Sequence, residues 1–142
     1  MPNWCENSLK IKANTIKGKM ELAELKEKGK SEDEILSLDN FIPMNKALEE
    51  NGDECYDWQL NNWGVKGGLS NVELRIDTRD TLKYYFETPW GPPLLAFLTI
   101  SQMFPHLTFY LKYNEPGMVF AGKVKFKNGI IIKDLNYMKV KI

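Results

Sequence analysis

Val72-Glu73-Leu74-Arg75-Ile76-Asp77-Thr78-Arg79-Asp80-Thr81-Leu82-Lys83-Tyr84-Tyr85-Phe86-Glu87 decides how this chain folds. Val72, Leu74 and Ile76 alternate with Glu73, Arg75 and Asp77. Leu82, Tyr84 and Phe86 then alternate with Lys83, Tyr85 and Glu87. A period of two marks a strand with one buried face. A helix over Thr81–Glu87 is the rival reading, but Tyr84-Tyr85-Phe86 favours a pleated surface. Thr78 to Thr81 suits a four-residue hairpin loop. The stretch therefore reads as two antiparallel strands.

Upstream, Leu9, Ile11 and Ala13 alternate with Ser8, Lys10 and Lys12, which predicts a strand over Cys5–Ala13. Asn14 or Thr15 is placed to cap a following helix. Ile16, Met20 and Ala23 are expected to form its buried stripe, Leu22 and Leu25 to widen it, and Gly29 to stop it. Residues from about 30 to 70 read as an irregular insertion packed on a single domain, 1–142. Within it, Ser31–Glu34 caps a short turn and Phe41-Ile42-Pro43-Met44 forms an extended apolar clip. Pro43 keeps Ile42 out of the helical region. A short helix is expected over Tyr56–Trp63, ending at Gly64, with a tight turn or hinge at Gly67-Gly68.

Downstream, Pro92 and Pro93 suit the first turn of a helix that stops before Pro105. That helix is apolar nearly all round and is expected to be the most buried. Leu107, Phe109, Leu111 and Tyr113 predict the next strand. Glu115-Pro116-Gly117 predicts a type II turn. Val119–Phe126 predicts the return strand. Asn128-Gly129 is the strongest hairpin signal in the chain. Ile130-Ile131-Ile132 opens a last strand, which Asn136–Ile142 extends or frays from. The order is strand, helix, insertion, strand, strand, helix, strand, then extra C-terminal antiparallel strands. It predicts an α+β fold: a ferredoxin-like split βαβ sheet with two helices on one face.

At 142 residues and 43% hydrophobic content the chain can bury a real core. Its longest apolar stretch, Leu94–Phe104, is too short to span a bilayer, so no membrane partner is expected. No basic and apolar leader is seen, and Cys5 and Cys55 lack knuckle or redox spacing; free thiols and a cytoplasmic location are expected. The formal net charge of +0 speaks against a dedicated duplex-DNA binder. Charge is unevenly placed, with an acidic stretch from Glu32 to Asp57 and a lysine-rich end from Lys112 to Lys141.

No catalytic constellation is readable. His106, the single histidine, has no orienting partner or nucleophile in sequence. Asp53, Glu54 and Asp57 lack the glycine and distal glutamate of a calcium loop. Gly64–Gly68 lacks the lysine of a phosphate loop. Neither metal nor cofactor is expected, and the chain reads as a non-enzymatic binding module; a small enzyme using His106 or the acidic insertion is the least favoured alternative.

Two surfaces are candidates. Trp58 and Trp63, with Asp57 and Lys66, lie in the insertion and suit a protein partner, because tryptophan is enriched at binding hot spots. Trp4 and Trp90 adjoin regular elements and read instead as scaffold anchors. The second surface is Tyr110, Lys112, Lys123, Lys125 and Lys127, which share an outward parity on neighbouring strands. A sheet face with a tyrosine and lysines suits single-stranded nucleic acid. Lysines there also block edge-to-edge aggregation. A homodimer through a sheet edge is a further option.

Pro2-Asn3-Trp4-Cys5-Glu6-Asn7, Phe41-Ile42-Pro43-Met44, Tyr56-Asp57-Trp58, Asn62-Trp63-Gly64-Val65-Lys66 and Thr88-Pro89-Trp90-Gly91-Pro92-Pro93 occur in that order. Phe104-Pro105 and the Tyr113-to-Gly122 hairpin follow. Together these resemble the YubB ferredoxin-like family of phage- and plasmid-borne proteins. Gly67 stands where the family pattern has a further tryptophan. The resemblance implies the ferredoxin-like fold and a mobile-element origin. With the absent catalytic constellation and the tryptophan-bearing insertion, it leads to the expectation of an accessory protein that acts on a host or phage protein in the bacterial cytoplasm. It implies no chemistry.

Overall fold

The computed structural model describes residues 3–138. Pro2 of the first motif, Lys139 and Lys141 of the basic end, and the tail of the expected Asn136–Ile142 extension lie outside the described residues. The elements are β1 (Trp4–Ala13), α1 (Ile16–Gly29), two single 3-10 turns (Leu38–Asn40 and Lys46–Leu48), α2 (Gly52–Asn62), β2 (Ser70–Asp77), β3 (Thr81–Pro89), α3 (Leu94–Met103), β4 (Leu107–Glu115), β5 (Phe120–Lys127) and β6 (Ile130–Met138). The strands form one sheet in the order β2-β3-β1-β4-β5-β6, and every neighbouring pair is antiparallel. The β2-β3-β1-β4 part is the split βαβ arrangement, and β5 and β6 widen it. The fold is ferredoxin-like, α+β, with three helices.

Alternation places one set of side chains under the helices. Cys5, Leu9 and Ile11 of β1, Leu82, Tyr84 and Phe86 of β3, and Leu107, Phe109 and Leu111 of β4 are buried in one core with Leu22 and Leu25 of α1 and Phe97 and Ile100 of α3. Insertion residues Leu36, Leu38, Phe41, Trp63 and Val65 belong to that same core. The Phe41–Met44 clip packs as expected, with Phe41 buried and Ile42 and Met44 against the core. It is not extended throughout: Phe41 closes the first 3-10 turn in the right-handed helical region, with φ of -99° and ψ of -41°. The Thr78–Thr81 loop closes with Thr78 N–H donating to the Thr81 carbonyl at 2.9 Å. Asn128 and Gly129 have φ of 51° and 74°, the left-handed pair of a tight hairpin turn.

Several expectations are corrected. Of the two candidate caps for α1, Thr15 is the one used, as the sequence allowed, its side chain accepting from Gly18 N–H at 2.9 Å. The buried stripe of α1 is Gly18, Leu22, Leu25 and Gly29. Ile16 and Met20 are 79% and 68% exposed, and Ala23 is exposed too. Gly29 is the last helical residue, and its smallness serves packing: a Cβ there would sit 2.9 Å from Leu36 Cδ1. Ser31–Glu34 makes a short bend, closed by the Ser31 N–H donating to the Glu34 carbonyl at 3.0 Å. α2 starts a turn earlier than expected because Asn51 accepts from Glu54 N–H at 3.2 Å. β2 is an irregular edge strand, with Val72 and Leu74 half-buried and Ile76 exposed.

The β4–β5 connection is not a type II turn. The positive φ falls on Val119 (60°), not on Gly117. The buried Glu115 carboxylate organises it instead, accepting from Gly117 N–H at 3.0 Å and from Met118 N–H. α3 has four of its ten residues buried, more than α1 or α2 in proportion, yet Leu95 and Met103 face solvent. β6 ends the sheet with Ile130, Ile131, Ile132 and Leu135 all exposed.

Candidate functional site

The sheet face away from the helices is open, and the strand register arranges its side chains in rows. Lys83, Lys10, Tyr110, Lys125 and Lys133 are successive cross-strand partners on β3, β1, β4, β5 and β6. The next row is Tyr85, Ser8, Lys112, Lys123 and Leu135. Three lysine pairs are thus directly opposed: Lys10 with Lys83, Lys112 with Lys123, and Lys125 with Lys133. Like charges directly opposite on one face are destabilising. All six lysines, with Tyr110, line one concavity of about 510 Å³, and no Asp or Glu lines it. None of the six is in an ion pair among the described residues.

Tyr110 is the centre of this face. The Lys10 ammonium lies 5.0 Å from its ring centroid and the Lys125 ammonium 5.5 Å. One comes from β1 and the other from β5, the strands on either side of β4. Tyr85 is similarly occupied, with the Arg75 guanidinium 4.2 Å from its ring, and Arg75 is also paired to Glu73 at 2.7 Å. The carboxylates of this face gather at one corner, where Glu6 and Glu87 are direct partners. The face is therefore polarised between an acidic corner and a basic field.

Of the residues expected on this face, Tyr110, Lys112, Lys123 and Lys125 are brought together, while Lys127 stands exposed at the end of β5 outside the concavity. Lys10, Lys83 and Lys133 were not anticipated there. The outward parity of Lys10 and Lys83 is readable in the sequence, that of Lys133 is not, and their convergence depends on pairing residues that are 73 positions apart, as in Lys10 and Lys83.

The tryptophans are placed contrary to expectation. Trp63 is buried, 5% exposed, and its indole N–H donates to the Ile42 carbonyl at 3.0 Å. Trp58 meets it edge-on with centroids 5.3 Å apart and is itself half-buried. These two hold the insertion to the core rather than offering an exposed hot spot. Asp57 and Lys66 are exposed, and the Lys66 ammonium lies 5.1 Å from the Tyr56 ring centroid. Trp4 and Trp90, expected to anchor the scaffold, are 43% and 51% exposed. They lie at one end of the sheet, where Trp4 pairs with Pro89 and Trp90 N–H donates to the Asn3 carbonyl at 2.7 Å.

His106 does have a partner. Glu21 of α1 accepts from the His106 backbone N–H at 2.9 Å and its other oxygen meets the imidazole Nδ1. The pair clamps α1 to the turn before β4. Cys5 and Cys55 are free thiols. Burial, opposed in part by a backbone hydrogen bond, pushes the Cys5 thiol up to about 12, so it is protonated at neutral pH and a poor nucleophile. Among the described residues, no three of His, Cys, Asp and Glu converge as metal ligands, and no helix is long and apolar enough to cross a membrane.

No curated protein matches the chain. The crystal structure of protein api92 from Yersinia pseudotuberculosis is similar to it, with a TM-score of 0.69 and 12% identity over 100% of both chains. At that identity the likeness is one of fold. Residues 71–137, from β2 into β6, match the family described as the ferredoxin-like domain in Api92-like protein, and this is the family to which the chain shows similarity.

Proposed function

We propose that this chain is a non-enzymatic binding module that holds single-stranded nucleic acid on the open face of its sheet. The observation that carries the reading is the set of three opposed lysine pairs around one concavity without a carboxylate. A fold that keeps like charges face to face gains when a polyanion neutralises them. The lysine row crosses from β3 to β6, about 19 Å at ordinary strand spacing, which suits an extended strand better than a single phosphate. The neutral overall charge agrees with a local patch rather than a duplex-binding surface.

The test is fluorescence anisotropy with a labelled mixed-sequence single-stranded oligonucleotide at several salt concentrations. Binding is expected to weaken linearly in log–log form, and each lysine removed should reduce the slope by about 0.7. No binding at low salt sinks the reading.

A second reading is favoured by Trp4 and Trp90, two exposed indoles at one end of the sheet. On it, the chain is a mobile-element accessory protein in the cytoplasm of a bacterial host, the origin that the YubB resemblance implies, and captures a host or phage protein through that end. A pull-down from host lysate with and without nuclease separates the two. Capture that survives nuclease and is lost in the Trp4→Ala/Trp90→Ala variant supports this second reading.

A further inference from the structure

We infer that the ligand on this face is recognised through its phosphates alone, with Tyr110 serving to position two ammonium groups rather than to stack a base. The inference rests on the nucleic-acid reading above. Platforms that hold single strands by stacking need an aromatic face open to the base. The tyrosines of the two basic rows each have a cation against the ring, and the central one has two. Tyr110 has Lys10 and Lys125 against its ring, and Tyr85 has Arg75. A base arriving at Tyr110 would have to displace ammonium groups that the ring quadrupole attracts. A phosphate arriving there displaces nothing, because ammonium hydrogens not directed at the ring remain to donate.

The rest of the face agrees. Its concavity is lined by six lysines, whose charge is indifferent to base identity, together with Ser8, Tyr110, Leu111, Val124 and Leu135. The remaining open-face indole, Trp4, stands beyond the Glu6–Glu87 pair, where carboxylates repel a phosphate chain. Tyr110 is then a positioning residue. Its ring fixes Lys10 and Lys125 on either side of β4 and lowers the rotamer entropy they lose when a phosphate binds.

The test compares a mixed-sequence single-stranded oligonucleotide with an abasic oligonucleotide of equal length and charge. Equal affinities within about twofold are expected, along with equal salt slopes. A loss of about tenfold or more for the abasic probe, the size of one stacked base, overturns the inference while leaving the nucleic-acid reading intact. Binding of neither probe removes both. Variants at Tyr110 give an independent arm, with far-UV circular dichroism confirming that each folds. Tyr110→Phe keeps the ring and should bind both probes as the wild type does. Tyr110→Leu should weaken both probes by the same factor. Weakening of the base-containing probe alone would show stacking and reject the positioning role.

Discussion

Lys112 of β4 and Lys123 of β5 are direct partners across an antiparallel pair, both exposed on the open face. Their repulsion is a standing cost to the unliganded fold. Replacing Lys112 with threonine, which suits a strand, should raise stability by about 0.2–1 kcal/mol. The same variant should bind the oligonucleotide more weakly. Urea unfolding and anisotropy measure the two effects. A stability loss in Lys112→Thr would show that the lysine pairs are not in tension.

Trp63 and Trp90 should respond in opposite ways to truncation. Trp63→Ala removes a buried ring and leaves the Ile42 carbonyl without its donor, so it should cost about 3–5 kcal/mol. Trp90 is half exposed and has φ of 70°, where a side chain is strained. Trp90→Gly should leave stability unchanged or raise it by up to about 1 kcal/mol. Equilibrium urea unfolding of both variants decides; equal losses would contradict the burial seen here.

Gly122 lies beneath the Tyr113 ring on the neighbouring strand, so that an added Cβ would come within 2.5 Å of Tyr113 Cζ. Gly122→Ala should therefore cost about 1–3 kcal/mol from overpacking. The penalty should shrink but not vanish in a Tyr113→Ala background, where the Leu135 carbonyl, 2.9 Å from the added Cβ, still obstructs it. A double-mutant cycle with no coupling would place the cost in the backbone instead.

The buried Cys5 thiol gives a pH signature. Its folded value of about 12 lies above the ordinary 9, so the folded state holds the proton more tightly. That contribution is complete below about pH 9 and is lost as pH rises towards 12. Tyr84, also pushed up to about 12 by burial and by Asp77, acts in the same direction above pH 10. The urea midpoint should fall between pH 9 and 11, and Cys5→Ala should reduce that fall. Native alkylation at pH 8 should label Cys55 and spare Cys5.

The strands were legible because burial on one face leaves a period of two, as in Leu9, Ile11 and Ala13. The helix α1 was harder. Its sequence offers two apolar stripes, and the choice is made by Gly18 and Gly29, which let the helix approach the His106 carbonyl and Leu36. Glycine carries no hydrophobic signal, so the winning stripe is invisible to periodicity. The tryptophans show the same limit. Trp63 is buried because the Pro43 clip presents the Ile42 carbonyl to its N–H, a contact 21 residues away in sequence. For the basic face, the outward parity of Tyr110, Lys112, Lys123 and Lys125 was readable, whereas register with Lys10, Lys83 and Lys133 had to come from the assembled sheet.

β1, the first of these strands in chain order, is one of four with neighbours on both sides. β1 pairs with β3, which ends at Pro89, and with β4, which ends at Glu115. On the ribosome, then, Leu9 and Ile11 emerge early with both hydrogen-bonding edges bare, and they wait for about a hundred more residues before the ladder closes. Such late, long-range closure slows folding and exposes a sticky strand in the interval. Synthesis of this protein should be sensitive to temperature and to chaperone supply, and a fragment ending before β4 should aggregate rather than fold.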